Sequence, residues 1–213
     1  MKSPKSVETL EKFGRVRLSS SFFMRDFLYS EIANFYGAQN IPDNPDLAIE
    51  VGIRLCEELL EPLNATFGRI AVRSSYRSPS INKLGNDEGH NCASNESNFS
   101  GHIWDHVDAQ GLKGATACVV VPWFLDRYDN GADWRSLAYW IHDHLPYSEL
   151  QFFPKLCAFN INWHETPTKT IASFIAPKGK LAIEETSVAE RKASYKDFPA
   201  FRKSPNEIGK VPR

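Results

Sequence analysis

Residues 47–79 read LAIEVGIRLCEELLEPLNATFGRIAVRSSYRSP, and this stretch decides the fold class. Over 47–68 apolar side chains recur at every third or fourth position, which predicts one long helix with a single buried face. Pro62 lies late in this helix and is expected to kink it. Residues 70–72 then predict a short strand, and 74–79 a loop that leaves its end. The predicted buried face consists of Leu47, Val51, Leu55, Leu59 and Leu63.

The rest of the chain alternates between helical and strand-like patterns. Residues 84–101 are rich in Asn, Ser and Gly and lack periodicity, which predicts a long surface loop. Together the elements predict an α+β domain in which helices pack against an antiparallel sheet. The further predicted helices are 22–37 and 133–144, and the further predicted strands are 118–122, 148–153, 155–163 and 170–175.

Charge is distributed unevenly along the chain. The 213 residues hold 25 Lys and Arg against 26 Asp and Glu, and this balance excludes a globally basic nucleic-acid binder. Residues 177–213, however, hold nine basic and five acidic side chains. We therefore predict an N-terminal extension (1–21), a folded domain (22–176) and a basic, extended C-terminal arm (177–213). The arm could contact nucleic acid, an acidic protein surface or a membrane, or dock on a partner subunit.

The cysteines and the apolar runs of the sequence indicate where in the cell the protein is expected. Four cysteines are scattered without a CxxC pair, as expected for reduced thiols of an intracellular protein. No run approaches the roughly 18 apolar residues of a membrane span, and residues 1–18 lack the apolar core of a signal peptide. The expected location is cytoplasmic or particle-associated. The expected partners are a peptide or peptidoglycan fragment, or a protein that the C-terminal arm contacts, rather than nucleic acid.

Three stretches carry a resemblance to a known family. They are FFMRDFLYSEIANFYGAQNIPD (22–43), LLEPL (59–63) and VRSSYRSPSIN (72–82). With the order of predicted elements, they resemble the zinc D-Ala-D-Ala carboxypeptidases, which have the Hedgehog/DD-peptidase fold. The resemblance covers residues 22–176. It implies a zinc metallopeptidase ancestry and peptidoglycan peptides as the class of ligand.

The resemblance also implies a set of binding residues. The family's loop reads T-S-G-Y-R-S-P-x-x-N, so Arg77 takes the place of the arginine that polarises the scissile carbonyl or holds a substrate carboxylate. A guanidinium suits this role because its fork pairs bidentately with oxyanions. Arg73, Tyr76 and Arg77 are expected to cluster at the mouth of the pocket, where the two arginines could bind a carboxylate or phosphate. The alternative is that Arg77 forms a buried salt bridge that fixes the loop. The implied binding set is Arg77, Tyr76, Ser75 and Asn82.

At the positions where the family holds zinc, this chain carries other residues. The first His position falls on Gly111, the Asp position on Cys118 and the second His position on Ile161. The general-base Glu position falls on Phe153. Either the register is wrong or the domain is a pseudoenzyme. The second interpretation predicts a binding or structural module without a cofactor, with a phage virion or lysis-associated role as contexts that the resemblance suggests.

A displaced metal site is the alternative hypothesis. His102 and His106 are four residues apart, so on a helix they would share one face, as metal-binding histidines do. Such a site would make the protein an active zinc D,D-carboxypeptidase or endopeptidase. The competing interpretation is a polar loop with ordinary histidines. The candidate ligands are His90, Cys92, His102, Asp105 and His106.

Overall fold

The computed structural model describes residues 1–204 and contains one six-stranded sheet. The strand order is β1-β2-β4-β3-β5-β6. Neighbouring strands are antiparallel except β3 and β5, which are parallel. The predicted α+β class is therefore confirmed, whereas the prediction of a purely antiparallel sheet was wrong at this one pair. The strands are β1 Ala71–Ser74, β2 Gly114–Val120, β3 Glu149–Phe152, β4 Phe159–His164, β5 Thr170–Ser173 and β6 Gly179–Lys180.

Helices cover one face of this sheet and link its strands. Short 3₁₀ turns lie at Met24–Phe27, Lys155–Cys157 and Ile183–Glu185. No helix among residues 1–204 has the length and apolar character needed to cross a membrane. The helices are α1 Val7–Gly14, α2 Glu31–Tyr36, α3 Pro45–Leu55, α4 Glu61–Phe67, α5 Pro79–Asp87, α6 Asn95–Asn98, α7 Pro122–Asp129, α8 Trp134–His144 and α9 Val188–Ser194.

The long helix predicted over 47–68 is present but is interrupted by one wide turn. Helices α3 and α4 are joined by a π-helical turn at Cys56–Leu60, shortly before Pro62. Proline lacks the backbone N–H that would continue the regular ladder, and its ring displaces the carbonyl one turn earlier. Of the predicted face, Leu47 is only partly buried, while Val51, Leu55, Leu59 and Leu63 have no exposed surface.

Other helices depart from the prediction because of their caps. The predicted helix 22–37 is broken, since the Ser30 hydroxyl accepts a hydrogen bond from the Ala33 N–H at 3.2 Å and starts α2 anew. Helices α5 and α7 were not predicted, and α5 occupies part of the predicted loop 84–101. Both begin with proline in the first turn, where the missing N–H costs nothing. Pro79 was predicted in a loop and Pro122 at the end of a strand, but each starts a helix.

The terminal segments belong to the folded body. Phe13 and Leu18 of the predicted extension 1–21 lie in the main core. The segment 177–204, predicted as an extended arm, forms β6 and α9, and the Phe198 ring packs 5.1 Å from that of Trp123. Arg191 pairs with Asp143 at 2.9 Å. The prediction of an extended arm was wrong over 177–204, and its remainder lies outside the described residues.

Candidate functional site

A cleft of about 1250 Å³ opens on the sheet face that lies opposite the core. The alternation of side chains along strand β4 explains why this face is polar, because successive side chains point to opposite faces of the sheet. Phe159 and Ile161 are fully buried in the core, whereas Asn160, Asn162 and His164 line the cleft. The neighbouring strands contribute Thr116, Cys118, Gln151 and Ala172 to the same surface.

Two arginines converge at one end of this cleft. Arg73 and Arg77 line both the cleft and an adjoining pocket of about 290 Å³. A β-bulge places Arg73, since Val72 pairs with Val119 and Ser74 with the next residue, Cys118. Within residues 1–204, neither guanidinium forms an ion pair with a carboxylate. The structure therefore does not show the buried salt bridge that was the alternative for Arg77.

Asn82 holds the Arg77 side chain in place. Its Oδ1 accepts hydrogen bonds from Arg77 Nη1 at 3.4 Å and from Asn98 Nδ2 at 2.6 Å. Its Nδ2 donates to the Ala93 carbonyl at 3.0 Å and to Asn95 Oδ1 at 2.9 Å. Asn82 is fully buried and does not line the cleft. It is a positioning residue rather than the binding residue that the resemblance implies.

This network predicts the effect of removing the Asn82 amide. We expect Asn82→Ala to lower the free energy of unfolding by about 2–3 kcal/mol, because several buried partners lose their hydrogen bonds. Urea denaturation at neutral pH measures the loss. Asn34→Ala, at an exposed position of α2, is the matched control and should lower stability by less than about 0.5 kcal/mol. Equal effects of the two variants would contradict the assigned role.

The other two implied binding residues use their hydroxyls inside the protein. Tyr76 has no exposed surface, and its hydroxyl donates to Asp105 Oδ1 at 3.2 Å. Ser75 donates to the Thr116 carbonyl at 3.0 Å. Both border the smaller pocket but not the large cleft. Of the implied set, Arg77 alone lines the large cleft.

His102 lies beside Arg77 in a fixed protonation state. Its Nδ1 is 2.7 Å from the Ser75 carbonyl, which can only accept, so Nδ1 carries the proton and Nε2 keeps a lone pair. The His102 side chain also forms a hydrogen bond with the Asn160 side chain. Burial, reinforced by the Arg77 charge, lowers the pKa of His102 from 6.5 to about 3. The imidazole is therefore neutral at physiological pH.

This lowered pKa predicts how stability depends on pH. Below pH 6.5 His102 binds a proton in the unfolded chain but not in the folded protein. The free energy of unfolding therefore has its full value above pH 6.5 and falls as the pH drops toward 3. We expect His102 to account for a loss of about 1–2 kcal/mol between pH 6.5 and 5. Urea denaturation across this range should show the full loss in the wild type and a loss smaller by this amount in His102→Gln. His90→Gln, which removes an exposed histidine, is the control and should leave the pH dependence of the wild type unchanged. An unchanged slope in His102→Gln would contradict the assignment.

The positions assigned to zinc chemistry do not form a zinc site. Cys118 and Phe153 line the cleft, Gly111 lies in a turn outside the residues that line it, and Ile161 faces the core. Catalytic zinc takes three protein ligands. The imidazole and thiol donors that line the cleft are His90, His102, His164 and Cys118, and burial raises the pKa of the Cys118 thiol. Across residues 1–204, no group of three or more His, Cys, Asp or Glu is placed to hold a metal ion.

The displaced ligand set is dispersed in the structure. His90 lies at the surface, where its Nε2 is 2.9 Å from the Tyr36 hydroxyl. Residues 101–106 form turns rather than a helix, so His102 and His106 share no face. His106 instead stacks on Phe99 with ring centroids 4.8 Å apart. Two further members have other partners: Cys92 Sγ lies 3.2 Å from Arg77 Nη1, and Asp105 accepts from backbone N–H groups.

Two features of the cleft were not predicted from the sequence. His164 Nε2 lies 3.0 Å from Asp108 Oδ2 at the rim, although these residues are 56 positions apart. Phe153 and Phe174 stack with ring centroids 5.6 Å apart. The alternation of β4 could have assigned His164 to the polar face, but the pairings depend on tertiary contacts that no local pattern reports.

Comparisons with known proteins found no match that would identify this site. The chain matches no protein-family model, no curated protein and no solved structure. Its function is therefore inferred from the cleft itself.

Proposed function

We propose that the protein is a catalytically degenerate DD-peptidase-like domain that binds, without cleaving, a peptide ending in a free carboxylate. A peptidoglycan stem peptide is the expected ligand class. The observation that carries this proposal is the pair Arg73 and Arg77, which reach one cleft and form no ion pair with any carboxylate of residues 1–204.

The chemistry of this end of the cleft suits a carboxylate. Two guanidiniums offer forked donors that pair with both oxygens of one carboxylate, and such charge-assisted bonds are stronger than neutral ones. Neutral His102 adds no negative charge beside them. Further along the cleft, Asn160 and Gln151 are joined by a weak 3.4 Å hydrogen bond that a peptide backbone could replace. The arrangement supports recognition of a peptide end.

The resemblance supports the same ligand class and argues against hydrolysis. The YRSP loop carries the resemblance in the sequence, and Arg77 of that loop lines the cleft. The positions of the zinc ligands and of the base hold Gly111, Cys118, Ile161 and Phe153, none of which is a carboxylate or imidazole. We therefore expect binding without turnover.

A titration of metal-free protein tests the proposal. Isothermal titration calorimetry with acetyl-Lys-D-Ala-D-Ala in EDTA should show saturable binding. The same peptide as a C-terminal amide should bind at least about tenfold more weakly, because it lacks the charge that the guanidiniums recognise. Equal affinities for acid and amide, or no binding of either, would refute the proposal.

An active zinc peptidase is the second candidate, and one observation favours it. His102 donates through Nδ1 to a backbone carbonyl, which is how many zinc-binding histidines are oriented. His102 and Cys118 would be the residues to hold zinc, but the donor set is incomplete for a catalytic centre.

Metal analysis separates the two candidates. We expect protein purified with added zinc, then dialysed, to retain far less than one zinc per chain by elemental analysis. It should also release no D-alanine from the peptide. Stoichiometric zinc that His102→Ala removes, together with peptide cleavage, would establish the peptidase instead.

A further inference from the structure

An exposed aromatic pair forms one wall of the cleft. Phe153 and Phe174 both line it, and their rings stack at 5.6 Å with an interplanar angle of 16°. Phe174 keeps 51% of its surface exposed. The surrounding rim is polar and includes Gln151, Thr168 and Thr170. Apolar surface inside a polar-rimmed cleft is typical of a ligand site.

The aromatic wall is continuous with the arginine end. Phe153 packs against the small buried cluster of Cys118, Val120 and Ala158. Cys118 also lies close enough to Arg73 and Arg77 for both charges to act on its thiol. Cys118, the member of this cluster that lines the cleft, therefore forms an apolar floor between the two guanidiniums and Phe153.

We infer, on the basis of the proposed function, that Phe153 and Phe174 form a specificity subsite for an apolar side chain. This side chain belongs to the same peptide whose carboxylate is bound by Arg73 and Arg77. Charge complementarity places the terminal carboxylate of the peptide at the arginines. The peptide residues before it then extend over the floor toward the rings. The resemblance places a zinc ligand and the catalytic base at Cys118 and Phe153. In this chain those two positions supply the floor and the wall of the subsite.

A pair of substituted peptides tests this subsite. The parent is acetyl-Lys-D-Ala-D-Ala, and the two probes carry D-Phe at the last or the second-last position. We expect at least one probe to bind about tenfold more tightly than the parent by calorimetry, because its ring leaves water and stacks on the pair. Phe174→Ala should remove this preference, so that the variant binds the probe and the parent with similar affinity.

Phe35→Ala is the matched control. Phe35 is a phenylalanine of α2 with 81% exposure that does not line the cleft, so its removal should leave the preference intact. If neither probe exceeds the parent, or if Phe174→Ala retains the preference, the subsite is refuted while binding of the parent still supports the proposed function. If neither parent nor probes bind, both are refuted. A preference that Phe35→Ala also removes would place the aromatic contact elsewhere and overturn the inference.

Discussion

Replacing Arg77 by glutamine is expected to weaken binding of acetyl-Lys-D-Ala-D-Ala by about 30- to 100-fold, with little effect on stability. Glutamine keeps polar atoms but loses the charge and the fork, and charge-assisted bonds contribute about 1.5–3 kcal/mol each. The C-terminal amide peptide should bind wild type and variant alike, because it carries no charge for Arg77 to recognise. Calorimetry with both peptides measures the difference.

Two companion variants sharpen this result. Arg73→Gln should weaken binding of the acid peptide as well, and the double variant should abolish the preference for acid over amide. Arg69→Gln removes an exposed arginine that does not line the cleft and should leave both affinities unchanged. If Arg77→Gln lowered the unfolding free energy but left the affinity for the acid peptide unchanged, the arginine would be structural.

Replacing Asp105 by alanine is expected to lower the free energy of unfolding by about 3–4 kcal/mol. This carboxylate is 3% exposed, and its Oδ2 accepts from the N–H groups of Asp43 and Asn44 at 2.7 and 3.2 Å. Its Oδ1 accepts from the buried Tyr76 hydroxyl. The variant leaves these donors unpaired in the interior and releases the start of α3 from the YRSP loop.

Denaturation with and without zinc measures this loss. Because Asp105 is a structural acceptor rather than a metal ligand, the loss should be the same in zinc and in EDTA. Asp87→Ala, at an exposed ion pair with Lys83, is the control and should change stability by less than about 0.5 kcal/mol. A destabilisation by Asp105→Ala that appears only in the presence of zinc would show that a metal site had been missed.

The sequence predicted those parts of the fold in which local pattern and burial agree. The helix around Val51, Leu55 and Leu59 and the helix that Asp133 caps both follow from periodicity. The segment 177–204 was misjudged because its basic composition was interpreted as that of an extended arm. In the structure Phe198 packs against Phe67 and Trp123. Isolated aromatic residues do not reveal from the sequence alone whether they meet a partner or their own core.

The part of the candidate site that could be predicted from the sequence is the part around the YRSP motif. Arg77 and its neighbour Arg73 were identified around the YRSP loop, whereas the bulge in β1 that places Arg73 is not evident from local sequence. The members of the displaced metal set are dispersed for a related reason. His102 and His106 have helical spacing, but residues 101–106 form turns, and His102 is instead held by the Ser75 carbonyl. Spacing predicts a shared face only where the expected element forms.

A crystal structure of the protein with acetyl-Lys-D-Ala-D-Ala, grown with zinc present, would show whether Arg73 and Arg77 hold a peptide carboxylate without a metal. We expect the terminal carboxylate between the two guanidiniums, the peptide uncleaved, and no metal density beside His102 and Cys118. Zinc bound by His102, Cys118 and a third protein ligand, or a peptide bound away from the arginines, would contradict this expectation.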